Sequence, residues 1–348
     1  MIPPHDNTRG AGASAHLRKL RGLCYTFPMT DFIIQTDRLT KRFALDAGFF
    51  ARQDRFVYAV NDVSFGIERG RTYGLVGESG CGKTTTARML VRMYKADGGA
   101  IWYKPEGGEA SDVLGFNRAE LRRYREKIKY VFQDPSRSLN PRMTVFNILT
   151  AGYRYSSVWQ GRKIAYDEAA QIMEEVGLDA RDLERRPSEF SGGQRQRISI
   201  ARALIMRPEV MFCDEVVSAL DVSVQSQILN LLHDIREKRG ISLLFIAHDL
   251  RVSCYFCDTI GVMYRGLLVE EAPAGDLYKT AAHPYTKLLF AGSGSSQGAA
   301  AGEVKTALES LHGCPFAHRC PQAGQRCRRE IPDWSGIGAG HKVRCFNL

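Results

Sequence analysis

Short apolar runs alternate with amphipathic segments along the middle of the chain. Four runs rich in branched and aromatic residues have the length of buried strands: residues 73–76, 129–132, 210–213 and 242–247. Five other segments carry apolar residues at helical spacing: residues 84–93, 118–127, 166–176, 193–206 and 222–238. This alternation predicts an α/β fold in which helices cover both faces of a largely parallel sheet.

The two ends of the chain differ from this middle. Residues 1–30 lack periodicity and predict a disordered N-terminal extension, within which Met29 is an alternative start. No long apolar core follows the first basic residues, so we expect no signal peptide. Residues 259–271 predict a terminal hairpin, and the Gly-, Ser- and Ala-rich residues 291–303 predict a flexible linker.

Composition narrows the class of protein. The chain has 348 residues, of which 44% are hydrophobic and 25% charged, as in folded globular proteins. Its net charge of +10 lies mostly near the two ends, and this distribution argues against a nucleic-acid partner. No apolar run is long enough to span a bilayer. With no sign of secretion, we expect reduced thiols in the cytosol.

A glycine-rich turn carries the clearest chemistry. Residues 77–84 read Gly-Glu-Ser-Gly-Cys-Gly-Lys-Thr and lie between a predicted strand and a predicted helix, as a phosphate-binding loop requires. Backbone amides would surround phosphate oxygens, Lys83 would reach the β and γ phosphates, and the Thr84 hydroxyl would ligate Mg²⁺. The predicted nucleotide contacts of this segment are Gly77, Ser79, Gly80, Cys81, Gly82, Lys83, Thr84 and Thr85, with Cys81 contributing only its backbone.

Two carboxylates follow the apolar run at 210–213. Asp214 lies at the tip of a predicted parallel strand, where ligands bind in such sheets, and would hold Mg²⁺ through its water shell. Glu215 would polarise a water molecule for attack on the γ-phosphate. By itself this pair could also cap the next helix. Together with the glycine-rich turn it predicts nucleotide hydrolysis.

A second candidate anion site lies between these two segments. Residues 191–194 read Ser-Gly-Gly-Gln and begin a predicted helix, whose free amides and dipole attract anions. One triphosphate has little use for two such loops on one chain, so the second would address the nucleotide of another molecule. The alternative is an ordinary helix cap with a basic first turn.

In their order along the chain, these segments resemble those of the ATP-binding cassette (ABC) ATPases, over residues 31–290. Residues 77–84 resemble the Walker A loop, and Asp214 and Glu215 resemble the Walker B aspartate and the catalytic glutamate. Four further features match at positions Gln133 (Q-loop), Ser191, Gly192, Gly193 and Gln194 (signature), Asp221 (D-loop) and His248 (switch histidine).

The resemblance implies a P-loop NTPase fold, with a RecA-like parallel core, an antiparallel β subdomain and a helical subdomain at about 134–205. It implies head-to-tail pairs in which one subunit's signature closes over ATP on its partner. Glu215, His248 and Gln133 would then be catalytic, while Thr84, Gln133 and Asp214 would serve Mg²⁺. The same resemblance predicts an aromatic side chain against adenine, at Phe43 or alternatively Phe56.

A narrower resemblance is to the oligopeptide/dipeptide/nickel importer branch, and within it to the second ATPase subunit. Residues 138–142, 189–190, 223–225 and 283–286 carry it. It implies a different ABC ATPase as heterodimer partner, two permease subunits, an extracytoplasmic substrate-binding protein and a peripheral location on the cytoplasmic face of the membrane. The alternative is a non-transport adaptor of a soluble enzyme complex, as in phosphonate breakdown.

Four cysteines cluster in residues 304–348, which form a predicted Cys-rich extension: Cys314, Cys320, Cys327 and Cys345. Clustered thiols in a reducing compartment favour metal over disulfides, and their wide spacing is poor for zinc. We therefore predict an iron–sulfur cluster, with zinc or free thiols as alternatives. The resemblance to the importer branch implies that the cluster is of the [4Fe-4S] type. Cys254 and Cys257 are predicted to be packing residues.

Overall fold

The computed structural model describes residues 32–44, 56–218, 220–292 and 312–348. The predicted N-terminal extension and nearly all of the predicted linker lie outside the described residues, as does Ala219 of the predicted D-loop. Within the described ranges, no helix is both long and apolar enough to cross a membrane.

The described chain forms strands and helices in alternation. The strands are β1 (Phe32–Ala44), β2 (Phe56–Val63), β3 (Gly66–Glu68), β4 (Thr72–Val76), β5 (Gly98–Tyr103), β6 (Ser111–Asp112), β7 (Ile128–Val131), β8 (Val210–Asp214), β9 (Ser242–Ala247), β10 (Thr259–Tyr264), β11 (Leu267–Pro273), β12 (Ser335–Gly338) and β13 (His341–Val343). The helices are α1 (Lys83–Leu90), α2 (Arg118–Lys127), α3 (Pro135–Ser138), α4 (Val145–Tyr153), α5 (Arg162–Glu175), α6 (Gly192–Leu204), α7 (Val222–Arg239), α8 (Leu250–Phe256), α9 (Ala274–Thr280), α10 (Pro284–Gly292) and α11 (Gln325–Arg329).

The larger sheet has eight strands in the order β12-β13-β11-β10-β4-β9-β8-β7. Its five strands from β10 to β7 run parallel. Every residue of β4, β8 and β9 is buried, because helices cover both faces of such a sheet. The predicted α/β fold is confirmed, and the four predicted strands match to within one residue.

Two helix boundaries differ from the prediction by three residues or more. Helix α1 ends at Leu90, three residues early, because Arg92 adopts a left-handed φ of 57° that stops the helix. Helix α5 begins at Arg162, four residues early, directly after Gly161, whose φ is 104°. In both cases a single backbone conformation overrides the apolar periodicity of the sequence.

The smaller sheet is antiparallel and has five strands, in the order β2-β1-β5-β6 with β3 also paired to β1. Between β7 and β8 the chain is helical, with α3, α4, α5 and α6 separated by turns and short 3₁₀ segments. Buried side chains of these helices belong to the same apolar core as one face of the larger sheet. The described parts therefore contain a parallel core, an antiparallel sheet and a helical region.

The hairpin predicted at residues 259–271 forms from β10 and β11, but the prediction that it ends the sheet is wrong. Strand β13 pairs antiparallel with β11, and β12 pairs with β13. A buried polar contact supports this addition: His341 Nε2 lies 2.8 Å from Glu270 Oε1. Glu270 also accepts hydrogen bonds from the backbone amides of Ala282 and His283. The C-terminal residues thus complete the main sheet rather than lying beyond it.

Candidate functional site

The loop between β4 and α1 is shaped by close backbone packing. A Cβ atom on Gly82 would lie 2.1 Å from the carbonyl oxygen of Ala59, and Gly82 has a φ of 114°. Both facts require glycine at this position. Ser79 and Gly80 are exposed at the loop, and Thr85 is half-buried in the first turn of α1. The loop therefore presents backbone and small side chains to whatever it binds.

Lys83 is held inside this loop. Its side chain is 4% exposed, and its Nζ donates hydrogen bonds to the carbonyl oxygens of Gly77 (2.7 Å) and Glu78 (3.0 Å). Cys81 is also buried, and burial raises the pKa of its thiol. The positive charge of the ammonium group therefore lies at the point where the loop amides and the start of α1 add positive potential, as an anion site requires.

Asp214, at the end of β8, accepts hydrogen bonds from two hydroxyl groups. The Thr84 hydroxyl donates to Asp214 Oδ1 at 3.0 Å, and the Tyr130 hydroxyl donates to Oδ2. Burial and the charge of Asp214 raise the pKa of Tyr130 well above its ordinary value. Tyr130 was missed in the sequence analysis, and its one signal is its place on β7, the strand that pairs in parallel with β8.

Glu215 lies next to the other two predicted catalytic residues. Gln133 Nε2 donates to Glu215 Oε2 at 2.8 Å, and His248 Nδ1 lies 3.9 Å from the same oxygen. Glu215 has a left-handed φ of 49°, a strained conformation for a residue with a side chain, and its amide bonds to the carbonyl of Ile246. All three side chains follow the carboxyl ends of neighbouring parallel strands, where sheets of this kind bind ligands.

The signature residues lie apart from this group. Ser191 and Gln194 form a reciprocal capping box at the start of α6, and Ser191 and Gly192 are exposed. Asp221 caps α7 by accepting a hydrogen bond from the Val224 amide at 2.9 Å. In the described ranges, no hydrogen bond joins residues 191–194 to the loop at 77–84 or to Glu215. The capping box occupies the amides of Ser191 and Gln194, and Gly192 lies exposed between them.

Neither candidate for the adenine contact is selected by its surroundings. Phe43 is 37% exposed and meets the Tyr94 ring edge-on, with 5.5 Å between ring centroids. Phe56 pairs with Ala44 across the β1–β2 pairing, and the guanidinium of Arg42 stacks 4.6 Å from the Phe56 ring centroid. Both rings have neighbours that account for their position without a nucleotide.

The four C-terminal cysteines are not arranged as a metal site. Cys314 donates its amide proton to the Cys327 carbonyl at 2.8 Å. Burial raises the pKa of Cys314 to about 11, and the other three thiols add to the rise. Among the described residues, no group of three or more His, Cys, Asp or Glu side chains is arranged to hold a metal ion. The structure therefore does not support the predicted iron–sulfur cluster.

The other pair of cysteines behaves as predicted. Cys257 is buried, and its Sγ lies 2.8 Å from where a Cβ on Gly74 would be, so the thiol fills space above β4. Cys254 packs against the main apolar core. Both are core residues.

A second feature missed in the sequence analysis connects the loop to the C-terminal residues. Arg319 donates to both carboxylate oxygens of Glu78, at 2.8 Å and 3.0 Å. The amide of Glu78 donates to the Tyr285 hydroxyl at 2.8 Å. Nothing in the local sequence pairs Glu78 with a residue 241 positions away.

Comparisons with known proteins agree with this geometry. A family profile described as ABC transporter matches residues 60–218, and one described as Oligopeptide/dipeptide transporter, C-terminal region, matches residues 269–327. The chain is 41% identical over 327 residues to the probable peptide ABC transporter ATP-binding protein y4tS of Sinorhizobium fredii, covering 91% of this chain and 90% of that protein. It is 44% identical to the oligopeptide transport ATP-binding protein OppF of Bacillus subtilis, covering 75% and 82%.

Among solved structures, the ADP conformation of MJ1267, described as an ATP-binding cassette of an ABC transporter, superimposes with a TM-score of 0.60 at 25% identity. The match covers 76% of this chain and all of that one. The resemblance stated from the motifs is confirmed at the level of the family. The chain therefore belongs to the ABC transporter ATP-binding proteins that carry an oligopeptide/dipeptide transporter C-terminal region, and its enzymatic class is ATPase.

Proposed function

We propose that the chain is the ATP-hydrolysing subunit of a peptide importer. The observation that carries this proposal is the convergence of Gln133 and His248 on Glu215, beside the Thr84–Asp214 pair. Such an arrangement suits activation of a water molecule next to a bound phosphate. The peptide and oligopeptide transport names of the relatives support the importer over the soluble adaptor of a phosphonate-type complex.

The loop at 77–84 would hold the triphosphate. Lys83 would exchange its two loop carbonyls for phosphate oxygens, which are stronger partners for an ammonium group. Thr84 and Asp214 offer the hard oxygen ligands that suit Mg²⁺, and Gln133 would add its amide oxygen. When bound, Mg²⁺ would neutralise part of the negative charge of the phosphates. Phe43 is our proposed adenine contact, because Phe43 is exposed whereas Phe56 is half-buried.

Glu215 would act as the general base. Its carboxylate would take a proton from water while the water oxygen bonds to the γ-phosphorus and the bond from that phosphorus to ADP breaks. Gln133 orients the carboxylate by donating to Oε2, and it can change partners without a charge penalty. His248 is 56% exposed on its side chain, so it is free to donate to a phosphate oxygen.

Closure of the site would need a second subunit. Within the described residues, 191–194 make no hydrogen bond to this chain's own loop, so we propose that they cover ATP bound to a partner, and that the partner's signature covers this site. By the resemblance to the second ATPase subunit, we propose a related but different ABC ATPase as that partner. Within this scheme, residues 31–290 are the ATPase domain and 134–205 its helical subdomain.

A groove of about 1000 Å³ offers a contact for the membrane subunits. It lies between α2, α4, α6 and β7, and Phe132 in its lining directly precedes Gln133. A segment seated there would touch the Q-loop, so we propose that one of the two permease subunits docks in this groove and the other docks on the partner ATPase. The ATPase would then be held peripherally on the cytoplasmic face of the membrane, and an extracytoplasmic binding protein would deliver the peptide.

Peptide uptake by cells tests the importer function. In a strain that lacks this gene, we expect energy-dependent uptake of labelled di- and oligopeptides to be lost and restored by the wild-type gene. The Glu215→Gln gene should not restore it, because binding without hydrolysis cannot sustain transport cycles. Unchanged peptide uptake in the deletion strain would contradict the importer, and a simultaneous loss of a soluble enzyme activity would favour the adaptor.

We propose the iron–sulfur cluster separately, on the spacing of the four cysteines in the sequence alone. We expect anaerobically purified full-length protein to contain iron and acid-labile sulfide in equal amounts. Cys314→Ser should lose both, while the matched core variant Cys254→Ser should keep them. Zinc alone, or no metal at all, in the wild-type protein would refute the cluster.

A further inference from the structure

Arg319 reaches the nucleotide loop from the C-terminal residues. Its two terminal nitrogens donate to the two carboxylate oxygens of Glu78, a paired geometry that aligns both hydrogen bonds. The side chains are 18% and 27% exposed, so this ion pair is better shielded than a surface pair. An arginine guanidinium is charged throughout the physiological pH range, so the pair is a full ion pair.

Glu78, which Arg319 binds, belongs to the predicted phosphate site itself. The carbonyl oxygen of Glu78 accepts a hydrogen bond from Lys83 Nζ at 3.0 Å, and its amide donates to the Tyr285 hydroxyl. The carboxylate, the amide and the carbonyl of Glu78 are therefore bound by three different parts of the chain. Loss of the Arg319 contact would leave the Glu78 side chain without this ion pair.

The segment that carries Arg319 is itself anchored. Phe316 is 2% exposed and packs against the rings of Tyr264 and Tyr285, with centroids 5.3 Å and 5.5 Å away. The amide of Arg319 donates to the Phe316 carbonyl at 3.0 Å in a tight turn. Tyr285 thus supports both the turn and the amide of Glu78, and Arg319 is presented to the loop from a fixed base.

We propose that Arg319 is a positioning residue for ATP binding: it neutralises the Glu78 carboxylate and holds the phosphate loop in its binding conformation. The carboxylate is adjacent to Gly77, within the loop that would receive a triphosphate, and an unpaired negative charge there would repel it. This inference rests on the proposed nucleotide site at residues 77–84. It makes the C-terminal residues part of that site.

Binding of a non-hydrolysable ATP analogue with Mg²⁺ to the full-length protein, measured by calorimetry, tests the proposal. We expect Arg319→Gln to weaken binding about tenfold, within the range for coupled neighbouring residues. Adding Glu78→Gln to this variant should restore affinity to within about threefold of wild type, because no unpaired charge is left. The matched control is Arg326→Gln, which breaks an exposed ion pair with Glu330 on the same C-terminal segment and should not change binding.

The outcomes separate the two proposals. Wild-type affinity in Arg319→Gln overturns the positioning role and leaves the nucleotide site intact, whereas no binding by the wild-type protein overturns both. A double variant as weak as Arg319→Gln also overturns it, since general damage to the C-terminal residues is not repaired by removing a charge from Glu78. If thermal denaturation shows that Arg319→Gln is unfolded, Arg319→Lys takes its place: about a threefold loss is expected, and no loss overturns the proposal.

Discussion

Glu215→Gln is expected to bind ATP like the wild-type protein while its hydrolysis rate falls by at least about 100-fold, the low end of general-base contributions. The amide has the size of the carboxylate and can still pair with Gln133, but it cannot accept a proton from water. Nucleotide affinity should hold, because Lys83 and the loop at 77–84, rather than Glu215, would hold the phosphates. Phosphate release by the assembled transporter and calorimetric ATP binding measure the two quantities separately.

The matched control for this variant is Glu237→Gln, which makes the same change on an exposed carboxylate of α7. Its turnover should equal that of the wild-type protein. Undiminished phosphate release by Glu215→Gln would remove Glu215 from the role of base. A loss of ATP binding equal to the loss of turnover would instead assign the residue to binding.

Lys83→Ala is expected to weaken ATP binding by at least about 2 kcal/mol, roughly 30-fold, as when one partner of a buried charge pair is removed. The buried Nζ is the cation directly bonded to the loop's carbonyl oxygens, so its loss leaves the phosphates without a buried counter-charge. Hydrolysis should fall for lack of bound substrate. Calorimetry with a non-hydrolysable analogue measures the change.

Lys127→Ala is the matched control, because Lys127 directly precedes β7 at the amino end of the sheet, opposite the site. Its side chain is half exposed and pairs with Glu209. Binding in this variant should be unaltered. Normal ATP affinity in Lys83→Ala would contradict the assignment of residues 77–84 as the phosphate site.

The features predicted well from the sequence are those that a short stretch of chain encodes alone. Residues 77–84 contain their own turn, since Gly82 must be glycine to pass the Ala59 carbonyl and take a positive φ. Asp214 could be placed at a strand tip because the preceding apolar run is a complete buried strand. The position of His248 just beyond the next strand follows in the same way.

The features missed are pairs that only the order of strands brings together. Tyr130 reads as one more aromatic residue in a strand until β7 and β8 lie side by side. The hairpin at 259–271 looked terminal because β13, far along the chain, has no signal of its own for pairing with β11. For the cysteines, spacing suggested a cluster, whereas the folded positions of the thiols do not assemble one.

From the sequence alone follow the α/β class, the ABC ATPase family, the proposed phosphate loop and the proposed acid, amide and imidazole groups. These depend on hydrogen bonds and turns between near neighbours, which local residue types control. The tertiary structure alone decided that Gln133 and His248 meet at Glu215, and that Arg319 closes on Glu78. Such contacts join segments far apart in the chain, so they exist only after the packing of the whole core has set the register and order of the strands.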